Sequence, residues 1–296
     1  MSEMQSIQWF PGHMTKTKRQ IQANLKLVDA VAEIIDARIP VSSRNPDLSK
    51  LIQNKPRVIL LNKCDMANRT ATKLWIDHFA KQGLTAIDVD CKSGRGLNKF
   101  PQAVNNVMSE RIARLKAKGM KNPMMRIMIV GIPNVGKSSF INRVSKQNRA
   151  KVEDRPGVTR GNQWFTISNN LEMLDTPGVL WPRFDDKIVG EHLAFTGAVK
   201  DQILDTELLA VRLLDFLKEL KPEDFISRFK LEDTELESMD SYELLKLIGK
   251  KRGMLISGGE IDTERASIML LDEFRAAKLG RITVEMPGFT VGNGVK

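Results

Sequence analysis

The stretch "RIMIVGIPNVGKSSFINRVSKQ" (126–147) decides the fold. Its first five residues form an apolar run of strand length, and its last eleven carry apolar residues at helical spacing. Between them "GIPNVGKS" (131–138) fits G-x-x-x-x-G-K-[ST], in the strand-then-helix context that this phosphate-loop motif requires. Glycines let the backbone wrap an anion with its N–H groups turned inward, and the helix N-terminus adds a partial positive charge. The loop backbone at Asn134, Val135, Gly136, Lys137, Ser138 and Ser139 is therefore assigned to nucleotide phosphates. Lys137 is assigned to the β- and γ-phosphates and Ser138 to Mg²⁺. The competing reading is a chance glycine-rich turn, which the flanking strand and helix disfavour.

Downstream, "NQWFTIS" (162–168) and "LEMLD" (171–175) read as two strands joined by the turn Asn169–Asn170. Asp175 at the end of the second opens "DTPG" (175–178), and its carboxylate is expected to hold Mg²⁺ through water. Gly178 is expected to bring its N–H to the γ-phosphate. Thr159 in "RPGVTRG" (155–161) is the candidate switch threonine, joining Mg²⁺ only in the triphosphate state. In Ras-type hydrolases the residue after this glycine is the glutamine that orients the attacking water. Here it is Val179, so another group must handle the water, or the chain does not hydrolyse its nucleotide.

Upstream, residues 1–123 alternate strands and helices, the pattern of a parallel sheet with helices on both faces. Strands are expected at 31–36, 57–62 and 85–90, with helices near 46–54, 70–82 and 97–118. The second strand closes in "NKCD" (62–65). Asp65 would accept guanine N1–H and the 2-amino group together, a pairing that adenine cannot offer. Asn62 would tie the loops down, and the Lys63 stem would cover the base face. The third strand runs into "CKSGRG" (91–96), where GTPases commonly read Ser-Ala-Lys. Cys91, Lys92 and Ser93 take those places, and a backbone N–H there would meet guanine O6 whatever the side chains are.

The order of these motifs differs from Ras, where the phosphate loop comes first and the base motifs last: here the base motifs come first, the phosphate loop second and "DTPG" last. The same sheet forms if the old termini are joined through "KGMKNPMM" (118–125) and the chain is reopened after "DTPG". Circular permutation of this kind is tolerated because domain termini often lie close together. The expected fold is an α/β circularly permuted P-loop GTPase domain over residues 1–184, with a mostly parallel six-stranded sheet and helices on both faces. An all-α domain is expected over 185–296, with helices near 206–220, 241–253 and 262–280. Because the segment after "DTPG" leads straight into that second domain, nucleotide state has a covalent route to it.

The chain carries 46 Lys and Arg against 36 Asp and Glu, a net charge of +10. The excess is uneven, +16 over residues 1–184 and −6 over 185–296. A basic first part suggests a polyanionic partner, nucleic acid before membrane, with a solvated lysine-rich surface as the alternative. No apolar run approaches the ~18–20 residues of a membrane span. The N-terminus lacks the apolar region of a signal peptide. Two cysteines without metal spacing are expected as free thiols in a reducing cytoplasm. Basic residues on the first helix (Lys16, Lys18, Arg19, Lys26), around the linker (Arg111, Arg114, Lys116, Lys118, Lys121) and at 250–252 are the candidate phosphate contacts.

"WFPGHM", "DARIP", "NKCD", "GIPNVGKSS", "DRPGVT" and "DTPGVLWP", in this order over nearly the whole chain, resemble the circularly permuted bacterial GTPases of the ribosome biogenesis GTPase A family. The resemblance implies GTP and GDP as ligands and a factor that binds the large (50S) ribosomal subunit late in assembly. Its helical C-terminal domain would contact ribosomal RNA, and ribosomal proteins would complete the partner surface. It further implies hydrolysis that is slow alone and stimulated by the particle, in a cytoplasmic protein that is monomeric when free and does not bind membrane. In the family the histidine matching His13 is considered catalytic, which would supply the water-handling group that Val179 is not; the alternative is a packing hook at Trp9 and Phe10. Asn134 matches a residue that coordinates K⁺ in related GTPases, with a turn-forming asparagine as the alternative. A stand-alone metabolic hydrolase and a membrane-linked signalling GTPase remain as competing functions.

Overall fold

The computed structural model describes residues 19–52, 55–147, 164–176, 186–199 and 205–289. Six strands form one sheet in the order β3-β2-β1-β4-β6-β5. They are β1 (Ala30–Asp36), β2 (Arg57–Asn62), β3 (Thr85–Asp88), β4 (Met125–Val130), β5 (Trp164–Ser168) and β6 (Leu171–Leu174). Every pairing is parallel except the β5–β6 hairpin, which carries a register shift between Thr166 and Ser168. The strand that feeds the phosphate loop, β4, lies between β1 and β6, and the base-motif strands β2 and β3 follow on the far side of β1. The permuted order of motifs thus builds a single continuous sheet.

β1 is buried along its whole length, as expected of a central parallel strand covered on both faces. Its alternate residues go to different layers. Ala30, Ala32 and Ile34 face a core shared with α3 (Phe100–Val107) and α5 (Lys137–Gln147). Val31 and Ile35 face α1 (Pro46–Ile52) and α2 (Arg69–Lys81), which contribute Leu48 and Ile52, and Trp75 and Phe79. Asn68 caps α2 by accepting from the Thr70 and Ala71 amides.

The single long helix expected over 97–118 is instead a 3₁₀ turn (Leu97–Lys99), α3, and α4 (Ser109–Ala117), with a break at Met108. Phe100, Ala103, Val104 and Met108 are buried, whereas no residue of α4 is fully buried. Ile112 and Leu115 of α4 are partly buried against the same core, so beyond Met108 the helix rests on its surface. β3 also ends two residues earlier than its apolar pattern suggests, because the Asp90 amide turns to donate to the Arg95 carbonyl.

After α6 (Lys187–Phe195) come α7 (Thr206–Leu220), α8 (Glu223–Phe229), α9 (Asp233–Ser238), α10 (Ser241–Lys251) and α11 (Thr263–Arg275). Asp205, Asp240 and Asp262 cap α7, α10 and α11 through their side chains. These helices enclose a second core containing Leu213, Phe225, Leu245, Leu270 and Phe274. α6 belongs to both cores: Val189 and Leu193 pack toward the sheet, Ala194 and Phe195 toward the helices. The chain then returns to the sheet. The Ile282 amide donates to the Met66 carbonyl, the Val284 amide to the Arg38 carbonyl, and the Trp75 indole to the Glu285 carbonyl. No helix among the described residues is long and apolar enough to cross a membrane.

Candidate functional site

The parallel strands all end on one side, the position at which open α/β sheets bind their ligands. β4 delivers the phosphate loop there, β2 delivers Asn62 through Asp65, β3 leads to Cys91, and β6 leads to Asp175. Among the residues assigned from sequence, these are brought together. His13, Thr159, Gly178 and Val179 lie outside the described residues, as do Lys16 and Lys18.

Asn62 joins the two halves of the site. Its side-chain amide donates to the Val135 carbonyl at 2.7 Å, and its carbonyl oxygen accepts from the Cys91 amide at 3.0 Å. One buried side chain thus holds the base motif, the following loop and the phosphate loop in register. Gly136 is required by this closeness. A Cβ on it would stand 2.2 Å from the Asn62 amide nitrogen, and its φ of +106° is one that side-chain-bearing residues rarely adopt. At Gly131 a Cβ would meet the Ile34 carbonyl at 2.5 Å.

Asp65 Oδ1 is buried without a hydrogen-bond partner among the described residues. A buried acceptor of this kind costs free energy until a donor reaches it, and guanine carries two adjacent donors. The residues present therefore fit a guanine base. At the next loop the amides assigned to guanine O6 are engaged internally. Lys92 and Ser93 donate their backbone N–H groups to Asp90 Oδ1 at 2.8 and 3.2 Å, and Cys91 donates to Asn62. Burial pushes the Asp90 carboxyl up, but the bonds from Ser93 and Lys92 outweigh it and hold the group below its usual range. Guanine O6 would have to share one of these amides with Asp90. Arg143 on α5 completes the loop by donating to the Ser93 carbonyl.

In the phosphate loop the Lys137 ammonium donates to the Gly131 and Ile132 carbonyls at 3.1 and 3.0 Å. Burial lowers its pKa to about 8, partly opposed by the Asp175 charge. Burial raises Asp175 in turn, against the attraction of Lys137 and a bond from the Thr176 amide. A cation and an anion share a desolvated spot in which neither is fully compensated, and a phosphate and a divalent cation would compensate both. Ser138 and Asp175 form an all-oxygen donor pair, the kind Mg²⁺ uses when phosphates and waters supply its other ligands. The residues fit that ion: Ser138 would hold it directly and Asp175 through water. Asn134, at φ +59°, points its amide nitrogen toward the Gly197 and Ala198 carbonyls at 3.4 Å each, which leaves Oδ1 as the atom a K⁺ ion would use.

Both cysteines flank the base site, free and buried. Burial drives the Cys91 thiol up to about 12, and Cys64 is raised for the same reason despite a 3.1 Å contact from Arg95. Neither is a thiolate near neutral pH. Sequence reasoning assigned no role to Asp36, Arg38, Asp90, Arg143 or Glu285, and placed His192 only as a histidine beyond the switch region. "DAR" at the end of a strand, in the same position relative to β1 as "NKCD" has to β2, was the one available signal. Glu285 carried none, because its partners are more than 90 residues away in the chain.

A family model described as 50S ribosome-binding GTPase matches residues 126–247, beginning at the phosphate-loop strand. The chain is 47% identical over 281 residues to ribosome biogenesis GTPase A of Bacillus licheniformis, covering 95% of this chain and 98% of that one. It is 32% identical to the protein of the same name from Thermotoga maritima, covering 94% of each. Among solved structures it resembles a GDP-bound and a GNP-bound YlqF of T. maritima. Each has a TM-score of 0.61 and 29% identity over 92% of this chain, covering 100% and 98% of theirs.

Proposed function

The chain belongs to the ribosome biogenesis GTPase A family and is a guanine-nucleotide-binding GTPase of ribosome biogenesis; from that premise we propose that it binds the large (50S) ribosomal subunit late in assembly and hydrolyses GTP faster on the particle. The observation that most supports a switch on guanine nucleotide is the Asn62 bridge beside the orphaned Asp65 oxygen. It makes recognition of the base and shape of the phosphate loop one mechanical unit.

In the mechanism the chain's own groups position and compensate charge, which is most of what phosphoryl transfer requires. Asp65 selects guanine. Loop amides of Asn134 through Ser139 and the Lys137 ammonium take the phosphate charge, Lys137 giving up its hold on the Gly131 and Ile132 carbonyls. Mg²⁺ on Ser138 and Asp175, joined by Thr159 in the GTP state, would offset charge on the β- and γ-oxygens. Gly178 senses the γ-phosphate. His13 positions the water in place of a glutamine, and Asn134 would hold a K⁺ ion, which would supply positive charge near the γ-phosphate. His13→Ala is expected to keep GTP affinity and lose stimulated turnover; equal turnover would refute its role. Equal hydrolysis in K⁺ and Na⁺ at matched ionic strength would remove the K⁺ assignment.

We further propose two domains, a GTPase unit over 1–184 and an RNA-contacting helical unit over 185–296, in a cytoplasmic protein that is monomeric when free. Exposed Arg19 and Lys26, Arg114, Lys116, Lys118 and Lys121 beside the linker, and Lys250 at the end of α10 are described cations that would meet ribosomal RNA, whereas Lys251 is paired with Glu235 and Arg252 faces Glu273. The deciding experiment is co-sedimentation with large ribosomal subunits in GDP and in a non-hydrolysable GTP analogue. Stronger association with the analogue is expected. Association that does not differ between the two nucleotide states, or none in either, would overturn the proposal.

A further inference from the structure

The groups assigned to base, phosphate and metal leave unused the most buried ionic cluster near the site, at the end of β1. Asp36 and Arg38 are 3% and 2% exposed. Arg38 donates from Nε to Asp36 Oδ1 at 3.0 Å and from Nη2 to Oδ2 at 2.8 Å, and its backbone N–H also donates to Oδ1. That fork alone neutralises the carboxylate. A second cation is nevertheless drawn to it: Lys63 of the guanine motif places Nζ 2.9 Å from Asp36 Oδ2. Burial pushes the Asp36 carboxyl up, but Arg38 and Lys63 overcome it and hold the group far below the ordinary carboxylate range.

Charge balance at Asp36 does not require Lys63. The pairing orders a long, entropically expensive side chain in the protein before any base is present. Lys63 also sits in the left-handed backbone region, at φ +60°, so its main chain is committed to one conformation as well. Arg38 in turn reaches the Thr196 carbonyl at 3.4 Å and the Arg275 carbonyl at 3.5 Å. Arg275 itself donates to the Ala194 and Phe195 carbonyls at the end of α6. The phosphate-loop residue Asn134 approaches the same turn, at Gly197 and Ala198.

We propose that Asp36 is a positioning residue for guanine recognition, holding the Lys63 side chain in its binding arrangement in advance, and that Arg38 locks Asp36 to the turn after α6. The inference rests on the guanine-nucleotide reading of the site. Ordering Lys63 beforehand removes an entropic cost from binding, so its loss appears as weaker affinity.

The test is a double-mutant cycle on the full chain, titrated with a fluorescent GDP analogue. Asp36→Asn and Lys63→Met are each expected to weaken binding by about tenfold, and the double variant by no more than the worse single, because contacting residues couple. Lys63→Arg restores a cation opposite Asp36. It is expected to recover most of the affinity lost in Lys63→Met when Asp36 is present, and none of it in Asp36→Asn. Unchanged or tighter binding by Asp36→Asn overturns the proposal, as does a double variant whose losses simply add. If Asp36→Asn does not fold, Asp36→Glu displaces the carboxylate by one methylene, and wild-type affinity in that variant is equally fatal. A wild-type chain that fails to bind the GDP analogue would refute the guanine reading itself, a separate outcome.

Discussion

Asn62 donates to the carbonyl of Val135 across 2.7 Å, so the strand assigned to the base is bonded directly to the loop assigned to the phosphates. The contact joins residues 73 positions apart, on strands separated by β1.

Asn62→Ala removes this bond and the one to the Cys91 amide, leaving two buried backbone groups without their partner. A cost of about 2–4 kcal/mol in stability is expected from two such losses, together with at least a tenfold loss of GDP affinity. Urea denaturation and titration with a fluorescent GDP analogue check both. Full affinity in a destabilised protein would mean that Asn62 only supports the fold.

Gly136→Ala attacks the same relationship from the other side. Its Cβ would lie 2.2 Å from an Asn62 nitrogen that is itself bonded, at a φ of +106° that alanine resists. Nucleotide binding should fall by at least an order of magnitude, with strain of about 1–2 kcal/mol from the backbone alone. The same titration measures it; near-normal binding would show that the loop opens freely.

Lys137 gives the affinity a pH dependence with a definite sign. In the free protein its pKa is lowered to about 8 by burial. Phosphates bring negative charge and raise it, so between the free and bound values binding takes up a proton. GDP affinity should therefore be level below about pH 8 and fall as pH rises through it, approaching tenfold per unit. Calorimetry in buffers of different ionisation enthalpy reads the proton directly. Lys137→Met should bind weakly with no such slope.

The folding stability carries the matching signature. With the Lys137 pKa depressed from 10.5 to about 8, the unfolded chain binds the extra proton between those values. The contribution of this group to stability therefore rises with pH across that window and is flat below it. Nucleotide-free unfolding from pH 7 to 10, comparing wild type with Lys137→Met, isolates it as the difference in slope.

Glu285 anchors the returning C-terminal segment. Its buried carboxylate accepts the Val41 amide at 2.6 Å and the Ser42 amide at 3.1 Å, and pairs with His192 Nδ1 at 2.8 Å. Glu285→Ala leaves the Val41 and Ser42 amides without this acceptor and His192 Nδ1 with only the Ser42 hydroxyl, and should cost about 2–4 kcal/mol, as stranding buried donors does. Glu285→Gln keeps one acceptor and should cost less. Denaturant midpoints decide, and a loss below 1 kcal/mol for the alanine variant would show that the segment is only loosely held.

Much of the sheet and its chemistry was legible because it is local. β4, the loop and α5 are contiguous, and their glycines, lysine and serine must follow one another for the backbone to wrap a phosphate. The break at Met108 was not legible, because helical spacing persists across it: Ile112 and Leu115 of α4 still pack against the core that α3 enters. The pairing of Lys63 with Asp36 was hidden for another reason. "DARIP" and "NKCD" each end an apolar strand, but parallel neighbours in register bring Asp36 opposite Asn62 only after the sheet forms.

By itself the sequence determined which strands there are, the permuted order in which they enter one sheet, and the residue types at the phosphate and base loops, since each follows from short-range pattern and backbone chemistry. Only the tertiary structure decided that α6 serves two cores, that Glu285 returns to bolt the C-terminal segment beside the base loop, and that Asp36 and Arg38 tie Lys63 to the turn at Thr196. These depend on buried groups finding partners across dozens to hundreds of residues. A buried charge or amide must be satisfied by whatever the packed chain places beside it, and no local pattern encodes which residue that will be.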